Sequence, residues 1–269
     1  MNGKDTKGNR LRRCRAGTGR RWCGAVALLL VLSTAGCAVA VDGTARPAPR
    51  MAPRSLTGQT IKQVLLGHRA LSRILNQSFK IDPRFRPRFG GPDALLDDGW
   101  LSPGDCLGVA SMLQRVVYQP GSVRHVAVQT WRHAPKSVEV TSVKEGVVSL
   151  PSPAEAQALF EKFARQWRQC DGTTMPLSGT VFQLKATTAN VEVADSVVAA
   201  TISMGFASRS SDSASLPSGR ALGVRGNCLV EVEVAFFGNT EPPDRGSADP
   251  RASAVEVAHA ILDNVGALI

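Results

Sequence analysis

The stretch RALGVRGNCLVEVEVAFF, residues 220–237, decides how this chain folds. From 222 to 237 it is apolar enough for one long strand or two. Its Glu231-Val232-Glu233-Val234 section alternates as a strand with one covered face does. Upstream, 180–184, 190–193 and 197–206 also read as strands. These strands follow one another without a helix between each pair. That order favours an antiparallel or mixed sheet with helices packed on it, an α+β fold, over the alternating pattern of a parallel one.

The helices lie outward from this block. The clearest covers 153–169, where Phe160, Phe163, Ala164 and Trp167 recur on one face. Ser152 is placed to cap it, with Pro153 at the first helical position and Glu155 three residues after the cap. The segment 251–266 reads as the last helix, with Val255, Ala258, Leu262 and Val265 inward. Toward the start, 58–76 has helical spacing through Val64, Leu65, Leu71 and Leu75, with His68 as a packing residue near that face. Pro83, Pro87 and Pro92 then break regularity. An irregular loop is expected to Trp100, anchored by Phe85, Phe89 and Trp100. A short helix opens after Ser102-Pro-Gly-Asp-Cys and runs toward Leu113. Strands are expected at 123–131 and 138–150, with Gly146 marking a bulge or turn. The Ser- and Gly-rich 209–219 segment and the polar 239–250 segment read as loops.

Charge is concentrated at the N-terminus. Of 32 basic residues, eight precede Cys37, beside one of the 22 acids. The remainder is close to neutral, so bulk charge gives no support for a nucleic-acid partner. Residues 1–36 have the parts of an export signal: a basic region to Arg21, an apolar run over 23–32, then small residues. The run is shorter than the roughly 20 residues that cross a bilayer. Thr34-Ala35-Gly36-Cys37 resembles a bacterial lipobox. The resemblance implies cleavage before Cys37 and diacylglycerol on its sulfur, which holds the protein to the membrane by apolar burial. Thr34 departs from the usual Leu; an unused lipobox would give a secreted protein instead. Residues 37–56, rich in Pro and small side chains, read as a flexible tether. The folded domain is expected over 57–269, in the cell envelope at the outer face of the cell membrane.

Cys14 and Cys23 fall within the signal, and Cys37 is assigned to lipid. Cys106, Cys170 and Cys228 remain. An exported location permits disulfides. A Cys106–Cys170 bridge is expected, stapling the segment before the first of the two 123–150 strands to the end of the 153–169 helix. A loop of that length gives about 4 kcal/mol on the chain-entropy estimate. Cys228 is then a buried small hydrophobe, with pairing to another chain or a reactive thiol as the alternatives.

Several stretches together carry a family resemblance: Pro103-Gly-Asp-Cys106-Leu-Gly, the Phe160, Phe163, Trp167 and Cys170 spacing, Arg220-Ala-Leu-Gly-Val-Arg-Gly-Asn227 and the closing helix. From about Thr57 to Ile269 the chain is similar to the actinobacterial, chiefly mycobacterial, sensor domain found outside the membrane in PknH-type Ser/Thr kinases. Stand-alone lipoproteins carry the same domain. The resemblance implies a twisted antiparallel sheet flanked by helices, with a cleft for an undefined extracellular ligand. Many relatives hold a second disulfide where Gly219 and Phe237 stand here.

Catalytic patterns are missing. His68, His125, His133 and His259 form no metal-ligand spacing, and there is no Gly-X-Ser-X-Gly elbow or cofactor motif. Asp97 and Asp98 read as surface carboxylates. Ligand binding needs no fixed motif, and Trp100, Tyr118, Trp131 and Arg132 are the residues expected to line a cleft. The reading is a non-catalytic envelope lipoprotein without a cofactor. Its partners are the membrane, through the lipid, and a small-molecule, cell-wall or envelope-protein ligand. Two alternatives stand beside it: a cell-wall hydrolase with Cys106 as nucleophile and a histidine as base, and an accessory lipoprotein docking through an apolar patch.

Overall fold

The computed structural model describes residues 54–97, 106–119, 121–134, 139–177, 184–206, 215–237 and 249–269. The 220–237 stretch belongs to two strands. Gly226, at a φ of +55° that suits glycine, and Asn227 form the two-residue turn between them, with Arg225 opposite Cys228. The strands in chain order are β1 (Phe79–Ile81), β2 (Arg88–Gly90), β3 (His125–His133), β4 (Val140–Ser149), β5 (Thr174–Leu177), β6 (Leu184–Ala194), β7 (Val197–Phe206), β8 (Leu216–Arg225) and β9 (Cys228–Phe236). They form one twisted antiparallel sheet in the order β1-β3-β4-β9-β8-β7-β6-β5, with β2 also paired to β3. The helices are α1 (His68–Ile74), α2 (Leu107–Ala110), α3 (Arg115–Tyr118), α4 (Pro153–Gln169) and α5 (Ser253–Leu268).

Both faces of the sheet are covered. α4 and the short α2 and α3 pack on one face, over Val126, Val148, Leu222 and Leu229. α5, α1 and a 3-10 helix, Gly58–Val64, pack on the other, over Val143, Val147, Val230 and Val232. Side chains on a strand point alternately to the two faces, so the two cores draw on alternate residues of the same strands. This overturns the expectation that only one face of the Glu231–Val234 section is covered, and Glu231 shows it. It is 4% exposed, because α2 and α3 cover the face it shares with Leu229.

α4 forms where the apolar spacing predicts it, and Ser152 Oγ accepts the Glu155 N–H at 3.2 Å. Other expectations change. The 58–76 segment is two helices, broken at 65–67, and His68 is exposed. The Pro-rich segment contains β2 and a 3-10 turn, Pro92–Ala94, and Phe85 is 52% exposed, so it anchors nothing. Gly146 is neither bulge nor turn. It sits within β4, where Leu113 occupies the space a Cβ would need; the irregularity of β4 falls between Val140 and Ser142. Residues 216–219 of the expected 209–219 loop belong to β8, and β6 runs through the gap left between 184 and 190. The start of the described chain is tied to the hairpin. Asn227 Nδ2 donates to the Leu56 and Leu150 carbonyls, and the Leu56 N–H donates back to Asn227 Oδ1 at 2.8 Å.

Candidate functional site

The break at 65–67 shapes the site. Gly67 is extended and caps α1, so the chain crosses the sheet there instead of continuing as helix. Between this crossing, β2 and β3 lies a cavity of about 330 Å³. Its walls are Leu65, Leu66, Phe89 and Trp131, with Lys62 and the β2 strand at Arg88 among its lining and, among the described residues, no acidic side chain. The Lys62 ammonium stands 4.7 Å from the Phe89 ring centre, a cation–π contact. On the other side of the same crossing, a wider groove of about 490 Å³ opens against α5.

Beneath the cavity lies Glu145. Cross-strand pairing sets Glu145 opposite Gln129 and Trp131 opposite Val143, so the indole reaches Glu145 along the diagonal. Trp131 Nε1–H donates to Glu145 Oε1 at 2.7 Å, and the Leu66 N–H donates to Oε2 at 3.0 Å. Both donors belong to residues that line the cavity. Among the described residues, no cation lies within salt-bridge distance of Glu145. Burial raises its carboxyl to about 7, and the two hydrogen bonds offset only part of that effect.

The opposite face holds a different arrangement. Arg220 Nη2 donates to Glu231 Oε2 at 2.7 Å and Nη1 donates to the Val109 carbonyl at 3.1 Å. The Tyr118 hydroxyl and the Leu113 N–H donate to Glu231 Oε1 at 2.6 and 3.1 Å. Burial pushes the Glu231 carboxyl up, while Arg220 and these donors pull it back. Burial, with Glu231 beside it, also pushes the Tyr118 hydroxyl well up. These groups fix α2 and α3 to the sheet.

The structure separates the residues expected to line a cleft. Trp131, 7% exposed, forms part of the cavity. Tyr118, 1% exposed, lies in the core on the other face, bonded to Glu231. Arg132 is half-buried and follows Trp131 on β3, so it points to the face away from the indole. Trp100 and Cys37 lie outside the described residues. Cys106 and Cys170 are joined, with Cα atoms 5.7 Å apart, which removes the thiol that the hydrolase alternative requires. Cys228 is a free, buried thiol on the α5 face, pushed up to about 12 by burial. Gly219 pairs with Val234 on β9, and Phe237 lies just past the end of β9, so the two are not cross-strand partners. Sequence reasoning missed Glu145, Leu66, Lys62 and Arg88. The usable signal was the parity of Glu145 with the inward Val143 and Val147.

A family model described as the PknH-like extracellular domain matches residues 56–264. The chain belongs to that family. Among solved structures, the extracellular domain of PknH from Mycobacterium tuberculosis is similar in fold. It is 18% identical, with a TM-score of 0.64, and the match covers 80% of this chain and 98% of that one. An uncharacterised protein from Mycobacterium smegmatis matches over the same shares of the two chains, at 14% identity and a TM-score of 0.40. No curated protein matches the chain. Among the described residues, this PknH-like domain has no group of three or more His, Cys, Asp or Glu placed to hold a metal. Nor is any described helix long and apolar enough to cross a membrane.

Proposed function

We propose that the chain is an envelope lipoprotein. Residues 1–36 direct its export, lipid on Cys37 anchors it, 37–56 tether it, and the PknH-like domain over 57–269 binds a small extracellular ligand without transforming it. One observation carries the ligand reading. In a domain of this family, the cavity at Trp131 combines aromatic and aliphatic walls with a few polar groups, the usual make-up of a small-molecule site.

The test is a native mass measurement on protein recovered from its own envelope. A bound mass is expected on the parent chain and not on a Leu65→Trp variant, whose larger side chain fills the cavity from its partly buried rim. Equal masses, after allowance for the substitution, would sink the ligand reading. Metabolic labelling with a fatty acid tests the anchor. Label is expected on the parent chain and not on Cys37→Ser; an unlabelled parent would make the protein secreted.

A further inference from the structure

We propose, building on the Trp131 cavity as the binding site, that its ligand is a small anion with an apolar body, and that the Glu145 carboxyl beneath the cavity couples binding to proton uptake. Two observations carry this, and they are independent.

The first is the charge of the lining. Lys62 supplies a cation, and among the described residues no carboxylate lines the cavity. It has no carboxylate partner among the described residues. It leans on the neutral Phe89 ring, so its charge remains available to an anion. Arg88 meets the cavity from β2, but it pairs with Val128 on the α4 face, and its guanidinium donates to the main-chain carbonyls of Asp93 and Leu95 at 3.3 and 3.1 Å. Leu65, Leu66, Phe89 and Trp131 supply surface for an apolar or ring-bearing body.

The second is the path from the cavity to Glu145. The carboxyl reaches the cavity through one indole N–H and one backbone N–H, both from lining residues. Ionised, it sets a negative charge behind the wall that an anion would touch. Protonated, it does not. The carboxyl titrates near 7, so this change falls at neutral pH. Anion binding and protonation therefore favour each other, and the coupling is reciprocal.

Other charged groups on this face are accounted for. β3 carries His125, whose Nδ1 accepts the Gly58 N–H at 3.3 Å, and His133, whose ring meets Phe237. β9 carries the buried Cys228. α1 brings His68, Arg69 and Arg73, all on or beside its exposed side. α5 brings Glu256, His259 and Asp263, the last paired with Arg225 at 3.1 Å. None is within salt-bridge distance of Glu145.

The experiment uses the full chain with Cys37→Ser, which carries no lipid on that residue. Two fluorescent probes share an aromatic body: 1-anilinonaphthalene-8-sulfonate, an anion, and the neutral N-phenyl-1-naphthylamine. The anion is expected to bind at least about tenfold more tightly. Leu65→Trp should abolish its binding, and Lys62→Glu should weaken it. Binding should be roughly fivefold tighter at about pH 5.5 than at about pH 8.5, and Glu145→Gln should remove that step. Calorimetry in two buffers of different ionisation heat should show proton uptake near pH 7 on the parent chain, whatever the folding of the Glu145 variant.

If both probes bind equally and Leu65→Trp abolishes both, the cavity is a site but the anion proposal is overturned. Failure of the sulfonate to bind also overturns it. Binding that is indifferent to Leu65→Trp overturns the cavity as the site. No proton uptake, or a pH step that survives Glu145→Gln, overturns the coupling.

Discussion

Glu145 and Glu231 lie on adjacent strands, one step out of register: Gly146 pairs with Glu231, and Glu145 with Val232. They point to opposite faces, and both are buried. Glu231 shares its pocket with a guanidinium, a phenol and a backbone N–H. Glu145 has an indole and a backbone N–H and no cation. Burial raises both carboxyls, so burial does not distinguish them. The difference is the cation. The α4 face fixes its carboxyl against a guanidinium; the α5 face leaves one with no cation, beside a cavity.

The largest expected effect is on the fixed face. Arg220→Met leaves Glu231 buried without a counter-charge and should lower stability by about 3–5 kcal/mol, read from a urea midpoint. Adding Glu231→Leu should recover much of the loss, because the unpaired charge goes with it. A loss below about 1 kcal/mol in the single variant would break the contrast, since the ion pair would then hold little. Opening the Cys106–Cys170 bridge by a double Ser substitution should cost about 4 kcal/mol. Its two ends sit at α2 and at the end of α4, so this loss also belongs to the fixed face. Binding at the Trp131 cavity should survive in native protein without the bridge.

On the other face the expected effect depends on pH. Glu145 carries a folded value of about 7 against an ordinary 4.5. Below 4.5 both the folded and unfolded chains hold the proton, and its contribution to stability is fully present. Between 4.5 and about 7 the unfolded chain releases the proton and the folded protein keeps it, so stability falls as pH rises. The total loss is about 3 kcal/mol, level above the folded value. Urea midpoints across this range should fall in the parent and fall much less in Glu145→Gln. A residual slope in the variant is expected from Glu231, whose carboxyl is also raised. Parallel slopes in parent and variant would show that Glu145 is not the titrating group.

What the sequence disclosed follows from how each element is built. α4 was legible because its apolar spacing, Pro153 and the Ser152 cap all act within one segment. The antiparallel sheet was legible from strands that follow one another directly. The cover over Glu231 was missed because alternation along β9 reveals one covered face, and the covering of the other comes from α2 and α3, too short to show a period. The candidate site was less legible. Trp131 could be named as an aromatic on a strand, but Tyr118 could not be assigned to the other face without knowing the register. The cavity draws on Lys62, Leu66, Arg88 and Trp131, which are distant in sequence, and its position depends on the helix break at 65–67.

The smallest expected effect tests whether the two faces act independently. Ser152 caps α4, on the side of the sheet away from Glu145. Ser152→Ala leaves the Glu155 N–H without its side-chain acceptor and should lower stability by about 1 kcal/mol. Nothing at this cap shares a hydrogen bond with Trp131, Leu66 or Glu145. The loss should therefore be the same at about pH 5 and about pH 8, on either side of the Glu145 titration. Combined with Glu145→Gln, the two effects should add to within about 0.5 kcal/mol. A coupling above about 1 kcal/mol would mean that the α4 face senses the protonation of Glu145 through the shared strands. The sheet would then transmit that change, and the division into a fixed face and a titratable face would fail.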